Sequence, residues 1–261
     1  MGSTPAPSTD GEFAVFTSLR YDPQLLTCAA NTAASSLSAP TPFYLLSHHR
    51  DRMLSAAEHF SYPPTTTALL RDLSTFAQRL NQAVDVSGHA LIDGQLKPIL
   101  ACEGAFTVEV TPVPAVPIEQ LFPNALPSAP ASRGPEDWTI VLDEAPTAPS
   151  DFTSYKTTAR KMYDDARMRA WIQSFKERKE VLLWNEKHEI MEGSLTSVFV
   201  LKGGQWVTAA VGSGGQRGTT RRWALENGLA REGAIVTGDV KKGSWVVVSN
   251  GVQGIWGGWV A

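Results

Sequence analysis

The sequence predicts a mixed α/β (α+β) chain folded as two lobes with a cleft between them. Helical and strand patterns occur on both sides of one proline-rich stretch, residues 112–135, which holds Pro112, Pro114, Pro117, Pro123 and the run "NALPSAPASRGP". The strand candidates are short β-branched or aromatic runs closed by Gly, Asn or Pro, while the helix candidates repeat apolar residues every three or four positions. The 261 residues, 43% hydrophobic and 19% charged, suffice for a core in each lobe. The expected division is an N-terminal arm at 1–12, a small α/β lobe at 13–117, a linker at 118–134 and a larger strand-rich lobe at 135–261. No internal repeat is visible.

The elements follow in order. "EFAVFTSLRYDP" is an apolar strand ended by Asp22-Pro23. A helix is expected from about Ser47 in "SHHRDRMLSAAEHF". "TTTALLRDLSTFAQRLNQAV" reads as one helix with Leu69, Leu73, Phe76 and Leu80 on one stripe and its threonines as N-cap. "LKPILACEGAFTVEVTPV" gives two strands about Glu103-Gly104. "WTIVLDEA" is a strand. "TSYKTTARKMYDDARMRAWIQSFKER" starts extended and becomes a long helix. "EVLLWNEKHEIM" is strand-forming. "SVFVLKGGQWVTA" is a hairpin turning at Gly203-Gly204. "TTRRWALENGLA" is a helix with an Asn-Gly C-cap, and "SWVVVSNGVQGIW" ends the chain in strands.

Composition narrows the function classes. A net charge of −3 exerts no general pull on nucleic acid or anionic membranes. No apolar run reaches the ~20 residues that cross a bilayer, and the polar "MGSTPAPSTDGEF" lacks a signal-peptide pattern. A cytoplasmic protein is expected, with Cys28 and Cys102 as small core residues. There is no G-x-S-x-G elbow, H-E-x-x-H or C-x-x-C pattern, and adjacent His48 and His49 cannot face one metal from a helix. No metal site is expected.

Other residues suit an anionic ligand. Gly218, Thr219 and Thr220 open a helix, whose free N–H groups and positive dipole end seat a phosphate as readily as a plain threonine cap. Of the two arginines in "HHRDRM", Arg50 and Arg52, one could offer a planar fork for phosphate, or both could be solvated charges. Lys156 stands where an extended segment turns helical, and Glu192 stands among small and apolar residues, where a buried carboxylate needs a partner.

Together these motifs resemble the fold-type IV pyridoxal-phosphate enzymes, which include branched-chain and D-amino-acid aminotransferases and aminodeoxychorismate lyase. "EGSLTSVF" matches the family's glutamate-strand motif at Glu192, Ser194, Thr196, Val198 and Phe199, with Ser197 in place of its Asn. "HRDRM" resembles its His-x-x-Arg-Leu at His49 and Arg52, with Met53 for Leu. "YKTTAR", "GTTRR" and "SNGVQGI" resemble its lysine, Gly-Ile/Val-Thr-Arg and last phosphate-side segments. The likeness runs from Phe13 onward. It implies a small N-terminal domain, a larger pseudo-barrel domain, a homodimer, and pyridoxal 5'-phosphate between the domains. Lys156 would bind the cofactor covalently and move protons. Glu192 would face the ring nitrogen. Arg52, Thr219, Thr220, Asn250 and Gly251 would hold the phosphate.

Substrate choice is expected in "FTSLRYDP", most similar to the fungal form of the lyase. Alternation sends Phe16, Ser18 and Arg20 to one face, with Arg20 as a holder of a substrate carboxylate. Ser18 or Thr17 is the expected donor of a proton to the leaving group. The lyase would convert 4-amino-4-deoxychorismate to 4-aminobenzoate and pyruvate in folate synthesis. An aminotransferase of branched-chain amino acids or (R)-amines is the alternative. A D-amino-acid enzyme is disfavoured, since Glu103 stands where its carboxylate-trapping arginine would be.

Overall fold

The computed structural model describes residues 13–88 and 93–261. The expected arm at 1–12 lies outside the described residues. The first lobe comprises β1 (Ala14–Phe16), β2 (Leu19–Tyr21), α1 (Ala29–Ser35), α2 (Leu46–His59), α3 (Pro64–Arg71), α4 (Leu73–Ser87), β3 (Gly94–Ala101) and β4 (Phe106–Pro112). β3 is the hub of this sheet and pairs antiparallel with β1, β2 and β4. Its strict alternation buries Leu96 and Leu100 against Phe76 and Leu80 of α4 and Met53 of α2.

The second lobe comprises α5 (Ile118–Leu121), β5 (Trp138–Leu142), α6 (Asp151–Ser154), α7 (Lys161–Arg169), β6 (Lys179–Trp184), β7 (Ile190–Gly193), β8 (Ser197–Lys202), β9 (Gln205–Ala209), α8 (Thr219–Glu226), β10 (Arg231–Gly233), β11 (Trp245–Asn250) and β12 (Gly254–Val260). Its eight strands run β10-β9-β8-β11-β12-β5-β6-β7. The sheet curls until its β7 end meets the segment after β10: Ile190 N–H donates to Ile235 C=O at 2.7 Å, and Glu189 bridges Val236. Val198, Val200, Val246 and Val248 fill the interior, while Phe199 and Val247 on the alternate face pack with α8 and α5.

Several expectations change. The helix expected across 65–84 is two helices, because Asp72 breaks it and accepts from Ser74 N–H and Thr75 N–H at 3.1 and 3.0 Å, a cap worth about 1 kcal/mol. The threonines cap nothing, since α3 begins at Pro64 without a side-chain cap. The helix after Lys156 stops at Arg169, and Trp171 takes a left-handed φ of 55°. The 118–134 stretch contains α5, buries Leu121 and Leu126, and bonds Tyr44 Oη and Trp245 Nε1 through Leu121 and Pro127 carbonyls. Proline there fixes a packed path along the second lobe rather than a free tether. Cys28 is half-buried and Cys102 is exposed beside the β3–β4 turn, so neither is a core residue. The first strand breaks at Thr17-Ser18 into β1 and β2, which undoes the simple alternation of Phe16, Ser18 and Arg20.

Candidate active site

Lys156 is held by the first lobe although it belongs to the second. Phe16 N–H donates to Lys156 C=O at 3.1 Å, Thr158 N–H donates to Ala14 C=O at 2.9 Å, and Thr157 bridges Val15. The extended segment thus adds to the free edge of β1, and the Lys156 Nζ lies 4.8 Å from the centre of the Phe16 ring. Lys97 Nζ lies 5.3 Å from the same ring. The Lys156 amine has no hydrogen-bond partner among the described residues. Burial pushes its pKa well below the usual lysine value, aided by Arg160 and Arg52 and opposed by Glu192. A lowered pKa favours the neutral amine, the form that acts as nucleophile and base.

Glu192 sits near the end of β7, beside a register shift between Leu183 and Trp184 that bulges the strand. Its Oε1 accepts from Tyr163 Oη at 2.6 Å and Gln216 N–H at 3.1 Å. Gln216 Nε2 also donates to Tyr163 Oη at 3.0 Å. Glu192 therefore has side-chain and backbone partners of its own on one oxygen. No described residue bonds Oε2. Burial pushes the Glu192 pKa up to about 7, against the pull of Tyr163 and Gln216.

One strand away, Glu180 on β6 accepts from Ser194 N–H, Ser194 Oγ, Leu195 N–H and Thr196 Oγ1 at 2.6–3.1 Å. The two hydroxyl residues of the motif, Ser194 and Thr196, thus anchor the turn after Glu192 rather than face a ligand. A Cβ on Gly193 would fall 2.2 Å from Thr196 Oγ1, so only glycine lets this turn fold onto Glu180.

The phosphate candidates divide. Arg52 donates from Nη2 to Thr17 Oγ1, while its buried Nε has no partner. Burial lowers its pKa to about 10, still leaving it cationic at neutral pH. α8 begins with no side-chain cap, so its first N–H groups remain available. Thr219 Oγ1 lies 3.3 Å from His49 Nε2. Thr220 Oγ1 instead donates to Asn250 C=O at 2.8 Å, and Asn250 Oδ1 accepts from Val252 and Gln253 N–H. Gly251 is there for closeness: a Cβ would lie 2.3 Å from His49 Cε1. The Thr220 hydroxyl, the Asn250 carboxamide oxygen and Gly251 thus build the walls between lobes. The buried Nε of Arg52 and the bare start of α8 retain donors for an anion, so the residues present fit a phosphorylated group.

The substrate candidates also divide. Phe16 is buried under Lys156 and Lys97. Ser18 is half-buried, and its hydroxyl makes no hydrogen bond among the described residues. Thr17 is fully buried with its oxygen between Arg52 and His49 (Oγ1 to Nδ1, 2.7 Å), so it does not face a leaving group. Arg20 is not a substrate cation. It is fully buried, and it donates to Asp22 at 2.9 Å, Asp93 at 2.6 Å and the Pro114 carbonyl at 3.1 Å. Tyr163, Gln216 and Glu180 escaped the sequence reading. Only Glu180 carried a signal, as a charge opening the apolar run "EVLLW".

A small four-stranded lobe beside a curled eight-stranded lobe matches the fold of fold-type IV enzymes. The chain belongs to the amino-transferase class IV family, whose model matches residues 36–258. It is 29% identical over 185 residues to the aminodeoxychorismate lyase of Saccharomyces cerevisiae; the match covers 61% of this chain and about half the length of that relative. A Schizosaccharomyces pombe protein that provisionally bears the same name is 26% identical over 79% of this chain and 80% of its own. Among solved structures, a hypothetical aminotransferase from Mycobacterium tuberculosis, in a form with α-ketoglutarate and PMP bound, superposes with a TM-score of 0.64. It is 17% identical over 99% of this chain and 87% of its own, a likeness of fold alone. No helix among the described residues is long and apolar enough to cross a membrane.

Proposed function

We propose that this chain is a pyridoxal-phosphate-dependent aminodeoxychorismate lyase, releasing 4-aminobenzoate and pyruvate from 4-amino-4-deoxychorismate in folate synthesis. The observation that carries the proposal is the shared deficit across the cleft. The Lys156 amine, the Glu192 Oε2 and the Arg52 Nε each lack a hydrogen-bond partner among the described residues; Glu192 and the Arg52 Nε are buried, and Lys156 is half-buried between the lobes. A single ligand with a carbonyl, a ring nitrogen and a phosphate would satisfy all three. The names of the yeast relatives support the lyase among the family's activities.

Pyridoxal phosphate, when bound, supplies an electron-withdrawing ring that stabilises negative charge on the carbon beside the substrate nitrogen. Lys156 Nζ would hold the carbonyl carbon covalently and, once displaced by the substrate amine, take the proton from that ring carbon. Glu192 Oε2 would accept the hydrogen bond of the protonated ring nitrogen. Tyr163 and Gln216 orient the carboxylate by holding Oε1. Arg52 Nε and the first N–H groups of α8 would bind the phosphate. Ser18, with an unused hydroxyl, would return a proton to the departing enolpyruvyl carbon. The same reading carries a homodimer and a cytoplasmic setting.

The test supplies cofactor-loaded protein with 4-amino-4-deoxychorismate and no keto-acid acceptor. Equal catalytic release of 4-aminobenzoate and pyruvate is expected. If neither product forms and branched-chain amino acids or (R)-amines convert the cofactor to its amine form, the aminotransferase reading replaces this one.

A further inference from the structure

Four side chains form a directed chain of hydrogen bonds across the lobes. Arg52 Nη2 donates to Thr17 Oγ1. Thr17 Oγ1 lies 2.7 Å from His49 Nδ1, and Arg52 Nη2 approaches the same nitrogen at 3.5 Å. His49 Nε2 lies 3.3 Å from Thr219 Oγ1 on α8. Thr17 and His49 are fully buried and Thr219 is 2% exposed, so no solvent competes for these protons.

The proton positions follow from the donors. A guanidinium can only donate, so Thr17 must accept from Arg52. Its own proton then goes to His49 Nδ1, the ring atom at 2.7 Å. With two donors converging on it, Nδ1 carries no hydrogen. The single imidazole proton sits on Nε2 and points at Thr219. Burial, Arg52, His48 and Lys156 all hold His49 neutral, in agreement with this assignment. Thr219 then accepts from His49 and keeps its own proton to donate elsewhere. No other partner takes that proton among the described residues.

Both ends of the chain are phosphate candidates. At one end is Arg52, whose orphaned Nε is its unused donor. At the other is Thr219, on the first turn of the uncapped α8. We propose that Thr17 and His49 are positioning residues, a neutral relay that fixes the Arg52 fork and the Thr219 hydroxyl as paired donors for one phosphate. This rests on the cofactor reading above. It replaces the expected role of Thr17 as proton donor to the leaving group. Gly251 belongs to the device, since any larger residue would push the imidazole out of line.

The test compares two cofactor forms. Apoprotein is titrated with pyridoxal phosphate and with pyridoxal, which lacks the phosphate, by absorbance of the bound aldehyde. Thr17→Val keeps the shape and removes the hydroxyl. It should weaken pyridoxal phosphate by about tenfold or more, as losing a hydrogen bond to a charged donor does, and leave pyridoxal within about threefold. Thr17→Ser should restore the phosphate preference. An equal loss for both ligands, or no loss for either, overturns the relay and leaves the cofactor reading standing. Nitrogen-15 NMR of His49 in the wild-type apoprotein decides independently of any variant. A proton on Nε2 alone is expected, and a protonated Nδ1 refutes the relay. Wild-type protein that takes up no pyridoxal phosphate refutes the functional reading and the relay with it.

Discussion

Two buried, charged regions of this molecule behave in opposite ways. At the first lobe's rim, Arg20 is enclosed by Asp22, Asp93 and the Pro114 carbonyl. In the cleft, Glu192 is buried and Arg52 and Lys156 are half-buried, yet each keeps an unfilled donor or acceptor. The glutamates repeat the contrast. Glu180 has both carboxylate oxygens occupied, whereas Glu192 has partners on one only. A buried charge with a full set of partners stabilises a local geometry. A buried charge with a vacancy costs stability until something fills it. Unfilled hydrogen-bond capacity on a charged side chain separates the cleft from the Arg20 and Glu180 scaffold; neutral Thr157, Ser249 and Trp256 also keep an unpaired buried atom.

The largest expected effect breaks the cleft outright. Lys156→Ala should lower product release by on the order of 10⁴-fold or more while circular-dichroism melting changes little. Retained turnover would sink the assignment of the nucleophile.

The two arginines sharpen the comparison. Arg20→Met should cost about 3 kcal/mol of stability by stranding Asp22 and Asp93, with cofactor affinity held. Arg52→Met should loosen pyridoxal phosphate by about 100-fold with little loss of apoprotein stability. The reverse pattern, read by urea melts and cofactor titration, would refute the saturation criterion.

The two glutamates should separate similarly on a smaller scale. Glu192→Gln should slow turnover by about 100-fold. Glu180→Gln replaces an acceptor with an amide that faces donors and should cost about 2 kcal/mol in a thermal melt. Equal kinetic effects from both would show that the turn after Gly193, not the open oxygen of Glu192, governs the chemistry.

The smallest effect is a pH slope. His49 is held neutral in the folded apoprotein, well below the usual imidazole range, by burial first and then by Arg52. The unfolded chain therefore binds more protons below about pH 6.5, and stability from this group is present above that pH and lost as pH falls through it. Wild-type apoprotein should lose up to about 1.4 kcal/mol per pH unit more than His49→Asn on acidification below pH 6.5. Parallel stability curves would show that His49 is not held neutral.

The two-lobe layout and most elements were legible because they rest on local rules. The hairpin at Gly203-Gly204, the end of α8 at Asn227-Gly228 and the short hydrophobic strands need only neighbouring residues to specify them. The Asp72 break was legible too in principle, since a cap competes locally with helix continuation, but the apolar stripe running through it masks the signal.

By itself the sequence nominated the residues for chemistry, since Lys156, Glu192, Arg52 and the segment that opens α8 stand in ordered motifs along one chain. Tertiary structure alone decided which of their neighbours are free to act. Arg20 and Arg52 look alike in sequence. One meets Asp93, 73 residues away across the sheet, and the other meets Thr17 and His49 with Nε left over. Hydrogen-bond capacity is filled by groups brought together in space, so no local pattern can report whether it is full.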